Sequence, residues 1–175
     1  MKFFATLLLA TAAIAAPTSP NSNIIRETSS CMSKSMKASS WVAKDFTFKY
    51  VVTESDGAKS YDSKAAFTLK NDALSYTAKC TGKSHSKNFF DGKLTYECNS
   101  GDDTSDKATF SYDYKSGKLV VGQVWSCPKE GARFTANGDT AISLTCKETD
   151  SSNKKTVECT PKTITVPIKS ISAVA

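Results

Sequence analysis

From residue 41 onward, apolar and polar positions alternate with a period of two. Phe46, Phe48, Tyr50 and Val52 interleave with Thr47, Lys49 and Val51; Ala65, Phe67 and Leu69 with Ala66, Thr68 and Lys70; Leu74, Tyr76, Ala78 and Cys80 with Ser75, Thr77 and Lys79. The pattern recurs at Leu94/Tyr96/Cys98, Phe110/Tyr112/Tyr114, Leu119 to Trp125, Ile142/Leu144/Cys146, Val157/Cys159 and Ile164/Val166/Ile168. Successive strand side chains point to opposite faces, so each run predicts a strand with one buried and one wet face. Between the runs, Asp56-Gly57, Asn71-Asp72, Asp91-Gly92, Ser116-Gly117 and Asn137-Gly138 supply residues that tolerate the positive φ of tight turns. No helical pattern separates the runs, which argues against a parallel α/β sheet. The prediction is an all-β chain: a single antiparallel β-barrel or sandwich of about 8–11 short strands.

The N-terminus reads differently. Met1-Lys2 is a positive n-region, Phe3 to Ile14 is apolar, and Ala13-Ile14-Ala15 fits a small-x-small cleavage site. Residues 1–15 therefore predict a signal peptide, and residues 16–40, with Pro17, Pro20 and many serines, a flexible N-terminal arm holding at most one helical turn. Residues 41–168 form the predicted domain and 169–175 a C-terminal tail. No later apolar stretch approaches the roughly 18 residues of a membrane span, so a secreted, extracellular product with no membrane partner is expected.

Secretion changes the meaning of six cysteines. They lack a Cys-x-x-Cys pair, and one histidine cannot complete a Cys/His zinc site, so disulfides are expected and metal is not. Cys80 and Cys98 end consecutive predicted strands, as do Cys146 and Cys159, and neighbouring antiparallel strands bring cysteines within bridging distance. That leaves Cys31 to pair with Cys127, or with Cys31 of a second chain in a covalent homodimer.

Catalytic constellations are sparse. His85 sits between lysines in a polar loop, without a Gly-x-Ser-x-Gly motif, and reads as an exposed histidine. Ribonuclease chemistry wants a second histidine, or a glutamate and arginine, matched to the first. The acids fall mostly in turns, where solvation explains them better than a glycosidase pair. Gly101 to Asp106 lacks the acid spacing of a calcium loop. No catalytic residue, cofactor or metal is therefore assigned.

The formal charge is +6, and only Arg26 and Arg133 among the 23 basic residues are arginines. Planar, paired recognition of phosphates and bases favours arginine, so nucleic acid is not an expected partner. Lys49, Lys70, Lys79, Lys93 and Lys118 look like solubility and edge protection. Lys83/Lys87 and Lys154/Lys155 are candidates for a patch facing acidic surfaces or cell-wall polymers. Phe89-Phe90, beside the Asp91-Gly92 turn, cannot both point inward from one regular strand. Either the chain bulges there or one ring is a contact point, so Phe89, Phe90, Lys83 and Lys87 form the candidate contact patch.

Trp41-Val42-Ala43-Lys44-Asp45-Phe46, Phe67-Thr68-Leu69-Lys70, Tyr96-Glu97-Cys98, Phe110-Ser111-Tyr112-Asp113, Ser116-Gly117-Lys118-Leu119 and Ile164-Thr165-Val166, in this order among four cysteines, resemble the fungal Alternaria major-allergen-like (AA1-like) family of secreted β-barrel proteins. The resemblance spans residues 41–168. It implies bridges Cys80–Cys98 and Cys146–Cys159, agreeing with the strand argument, and an interchain role for an N-terminal cysteine, here Cys31. Cys127 departs from that pattern and offers Cys31 a partner in the same chain. The family implies a non-enzymatic, effector-like, elicitor-like or allergen-like protein that engages host extracellular proteins, plant defence proteins among them. A wall-associated or carbohydrate-binding structural module and a secreted hydrolase are the alternatives.

Overall fold

The computed structural model describes residues 30–101 and 106–174. The predicted signal peptide and residues 16–29 of the predicted arm lie outside them. One short helix, α1 (Cys31–Met36), precedes ten strands: β1 (Ser40–Ser55), β2 (Ala58–Lys70), β3 (Thr77–Ser84), β4 (Tyr96–Asn99), β5 (Lys107–Asp113), β6 (Lys118–Cys127), β7 (Ala132–Ala141), β8 (Cys146–Ser151), β9 (Lys154–Cys159) and β10 (Lys162–Val174). All strand pairings are antiparallel. Strands β1 to β7 pair in chain order, and β10 joins β7 to β1, closing an eight-stranded barrel. The β8–β9 hairpin lies outside the ring and pairs only with β1.

A bulge lets β1 serve both parts. Ser40 to Phe46 pair with β10, Lys49 to Thr53 with β9, and the register against β2 shifts between Lys44 and Thr47. Asp45 sits there at φ +53°, a left-handed conformation that aspartate tolerates better than most side chains. The extra residue resets the alternation. Trp41 and Ala43 point inward on odd numbers, Phe46 and Phe48 on even ones, and all four are fully buried. At the far end of β1, Asp56 and Gly57 take positive φ (52° and 75°), the two-residue hairpin turn predicted for them.

The structure differs from the sequence reading in several places, among them Leu74, Tyr76 and Leu94, which precede β3 and β4 and do not belong to them. Residues 31–40 are no loose arm: the Ser30 hydroxyl caps α1 by accepting from the Ser33 N–H at 3.2 Å, and β1 starts at Ser40. Residues 169–174 are no tail, because β10 runs to Val174 and pairs with β7. Ile142 to Thr145 connect strands, and β8 begins at Cys146. Asn137-Gly138 is no turn but lies inside β7, where a Cβ on Gly138 would collide with the Pro167 carbonyl and come within 3.0 Å of the Trp41 ring.

The barrel interior has two ends. At one, Trp41 and Trp125 are fully buried and their indole N–H groups are satisfied by side chains. Trp41 Nε1 donates to Gln123 Oε1 at 2.8 Å, and Asn71 Nδ2 donates to the same oxygen at 2.9 Å. Trp125 Nε1 donates to Ser35 Oγ of α1 at 2.8 Å, which seats the helix on the barrel. Cys31 is bridged to Cys127 at the same place, across a sequence separation of 96. Cys80–Cys98 and Cys146–Cys159 each join directly opposed residues of neighbouring strands. No free thiol remains among the described residues.

Candidate functional site

The other end of the barrel is aromatic. Phe46, Phe48, Phe110 and Tyr112 fill it, with ring centroids 5.1 Å apart for Phe46–Tyr112 and 5.6 Å for Phe48–Tyr112. Above them lie Tyr50 and Tyr114, both half-buried. Phe48 stacks on Tyr114 at 4.6 Å and 24°, and Tyr50 meets Phe89 at 4.7 Å. Aromatic pairs at such spacings contribute about 0.5–1.5 kcal/mol beyond their buried area.

The segment after β3 carries Phe89 and Phe90 to this end. Phe90 takes φ +46°, and its carbonyl accepts the Tyr114 N–H at 2.8 Å. Gly92 N–H donates to the Tyr112 carbonyl at 3.1 Å, so the segment is laced to the end of β5. This turn resolves the Phe-Phe doublet. Phe90 enters the core at 3% exposure, 5.4 Å from Phe48 and edge-on to it. Phe89 stays half-exposed over Tyr50 and Tyr114.

A cleft of about 420 Å³ opens here, lined by Lys87, Phe89, Phe90, Lys93, Tyr114 and Lys115 among others. Lys93 approaches Asp91 at 3.5 Å. Of the four predicted patch residues, Lys87 and Phe89 share this cleft and Phe90 forms its floor. Lys83 points from the outer face of β3 and does not line it. Tyr114, Lys93 and Lys115 were missed by sequence reasoning. Tyr114 carried only a core-like alternation signal, and nothing in the chain order brings the β5–β6 connection beside residues 87–93.

Two phenols at this end, those of Tyr50 and Tyr112, hold their protons more firmly than a free phenol. Burial, then the neighbouring Tyr114, pushes Tyr50 above the usual phenol range, with Lys155 opposing. Burial pushes Tyr112 up to about 12. Neither can serve as a base near neutral pH. His85 faces Asp62 at 3.6 Å, with both side chains largely exposed. At the opposite end, a cleft of about 670 Å³ is lined by Leu74, Tyr76, Asp106, Ser126 and Glu130 among others. The buried Asp106 carboxylate there accepts from the Tyr76 hydroxyl and, at 2.8 Å, from the Ser126 N–H. Its oxygens tie the β2–β3 connection to β6, as a structural acid does. Among the described residues, no group of three or more His, Cys, Asp or Glu is arranged to hold a metal ion.

A family model described as Alternaria alternata allergen 1 matches residues 43–159. No curated protein matches the chain. Among solved structures, the crystal structure of Alternaria alternata allergen Alt a 1 is similar at 14% identity, covering 75% of this chain and 88% of that one, with a TM-score of 0.43.

Proposed function

The chain belongs to the Alternaria alternata allergen 1 family, and from this allergen-like identity we propose that it is a secreted, non-catalytic binding protein of effector or elicitor type whose partners are host extracellular proteins, plant defence proteins first among them. The observation that carries this reading is the cleft in which Phe89 and Tyr114 lie half-exposed among Lys87, Lys93 and Lys115. Partly exposed rings ringed by solvated charge have the anatomy of a protein-binding hot spot. Three disulfides suit an oxidising compartment, and fully bridged cysteines fit export. A Tyr112 phenol pushed up to about 12 and an Asp106 carboxylate engaged by Tyr76 and the Ser126 N–H favour binding over turnover.

The test is capture from plant apoplastic fluid, followed by direct titration of each purified captured protein. Phe89→Ala and Lys87→Glu should each weaken the titrated complex at least about tenfold, the loss expected for a central aromatic anchor. The reading loses to a wall-binding module if the wild-type protein retains no host protein but sediments with insoluble glucan or chitin. Purified protein that hydrolyses a polysaccharide or peptide, with loss on Asp106→Asn, would establish the enzyme instead.

A further inference from the structure

The outer face of β1, β2 and β3 is a grid set by strand register. One row is Lys44, Thr68 and Lys79; the next is Thr47, Ala66 and Thr81; the third is Lys49, Lys64 and Lys83. All five lysines are exposed, because the alternate positions Phe48, Ala65, Phe67, Ala78 and Cys80 are buried. Neighbours across strands are about 4.8 Å apart, and positions two apart along a strand about 6.7 Å. The lysine rows therefore flank a strip of small side chains about 13 Å wide.

This arrangement is costly in isolation. Lys49, Lys64 and Lys83 stand directly opposite one another, and like charges in register destabilise a sheet. Lys49 is relieved by Glu158 at 3.4 Å. Among the described residues, no carboxylate comes within ion-pair distance of Lys44, Lys64, Lys79 or Lys83. Exposed Asp45 borders the grid at the bulge, Glu97 follows on β4, and Asp62 is occupied by His85 at 3.6 Å. A solubility coat needs no such register, since mixed signs serve it as well.

We propose that this face binds a linear polyuronate, an acidic polysaccharide with a carboxylate on each sugar, lying across the strands along the Thr47–Ala66–Thr81 strip. The strip has no aromatic platform for stacking bases and no pocket for an apolar anchor, which disfavours nucleic acid and protein. Lysine presents point charges, suited to a row of separate carboxylates, where paired phosphate recognition would favour arginine forks. Thr47 Oγ1 donates to the Ala66 carbonyl at 3.2 Å, leaving its lone pairs to accept from a sugar hydroxyl. The surface lies on the opposite face of β1 from Phe48 and Tyr50, so the inference does not rest on the protein-partner reading.

The probe is a defined-length oligogalacturonide titrated calorimetrically at two salt concentrations, with neutral dextran and single-stranded DNA alongside. Oligogalacturonide should bind, weaken as salt rises, and outcompete DNA at matched salt. Lys64→Ala/Lys83→Ala should lose about tenfold or more in affinity and flatten the salt dependence by about 1.4 in log–log slope, as two lost contacts predict for a flexible polyanion. The charge-matched Lys118→Ala/Lys169→Ala, at the Asp139 ion pairs on β6, β7 and β10, should stay within about twofold of wild type, because distant screened charges contribute little. Phe89→Ala should bind as wild type, separating this result from that of the cleft. Lys83→Glu, placing an acid opposite Lys64, should melt at or above wild type while binding less, which distinguishes a lost site from a lost fold. No binding above the dextran level, tighter binding to DNA, or equal losses in both double variants would each overturn the proposal.

Discussion

Replacing Gln123 with Met removes one oxygen from the barrel interior at nearly constant volume. That oxygen accepts from Trp41 Nε1 at 2.8 Å and Asn71 Nδ2 at 2.9 Å, and the three side chains are 4%, 0% and 1% exposed. Water cannot easily replace it. Each orphaned donor costs about 1–3 kcal/mol, so the pair costs about 2–6 kcal/mol. A volume-conserving swap contributes under about 1.5 kcal/mol of its own, so orphaned donors dominate. The assay is urea unfolding followed by tryptophan fluorescence. With a slope of about 2 kcal/mol per molar, a loss of about 4 kcal/mol lowers the midpoint by about 2 M. The slope should not change, because the folded barrel still buries the same surface. A double-mutant cycle with Asn71→Ala should show coupling, since each single variant breaks the Asn71–Gln123 bond and the double variant loses it only once, whereas only Asn71→Ala also removes the acceptor of the Ala73 N–H at 3.0 Å. A loss below about 1 kcal/mol at constant slope would refute the reasoning, because it would mean that the indole and amide find other partners.

Three other outcomes are expected. Cys31→Ala/Cys127→Ala opens a loop with a sequence separation of 96, for which chain entropy gives about 4.7 kcal/mol; guanidinium unfolding that shows less than 1–2 kcal/mol would deny the bridge its role. Tyr96→Phe removes a buried hydroxyl without a hydrogen-bond partner, so it should be neutral or stabilising in calorimetry, and a destabilisation beyond about 1 kcal/mol would reveal a partner. The Ser116 hydroxyl, with the N–H groups of Lys115 and Ser116, holds Asp113 below the usual carboxylate range; its stabilising contribution is full above the unfolded value near 3.8 and fades as pH falls through the lower folded value. The stability gap between wild type and Asp113→Asn should therefore close on acidification below about pH 4, and a gap constant from pH 7 to pH 2 would contradict that.

Bulky alternation made most of the barrel legible in the sequence. Phe46/Phe48, Phe67/Leu69, Phe110/Tyr112 and Leu119/Val121 mark their strands because large side chains fill the interior on every second residue. Strand β7 escaped because its inward positions are Ala132, Phe134, Ala136 and Gly138, three of them too small to register as apolar peaks. At Gly138 the small size is a tertiary demand, set by β10 and the Trp41 ring pressing close. The end of β10 looked like a tail because Ile168 to Val174 leave most side chains exposed, although the backbone pairs with β7. At the candidate site, the Phe-Phe doublet was visible as an anomaly. Which ring turns inward depends on the Phe90 backbone and its bond to Tyr114, which only the folded chain provides.

The β8–β9 hairpin holds to the rest of the molecule along one edge of β1, is clamped by its own Cys146–Cys159 bridge, and exposes every residue of β8. Val157 and Cys159 of β9 nevertheless enter the common core, so the exposed outer strand β8 should be where amides trade hydrogen for deuterium soonest, ahead of β9 and the ring. The residues of β8 can therefore drift under selection with little consequence for the cylinder beside it, whereas those of β9 that reach the interior cannot. Tolerance of substitution along this edge is thus set strand by strand, outward from the ribbon that changes neighbours at Asp45.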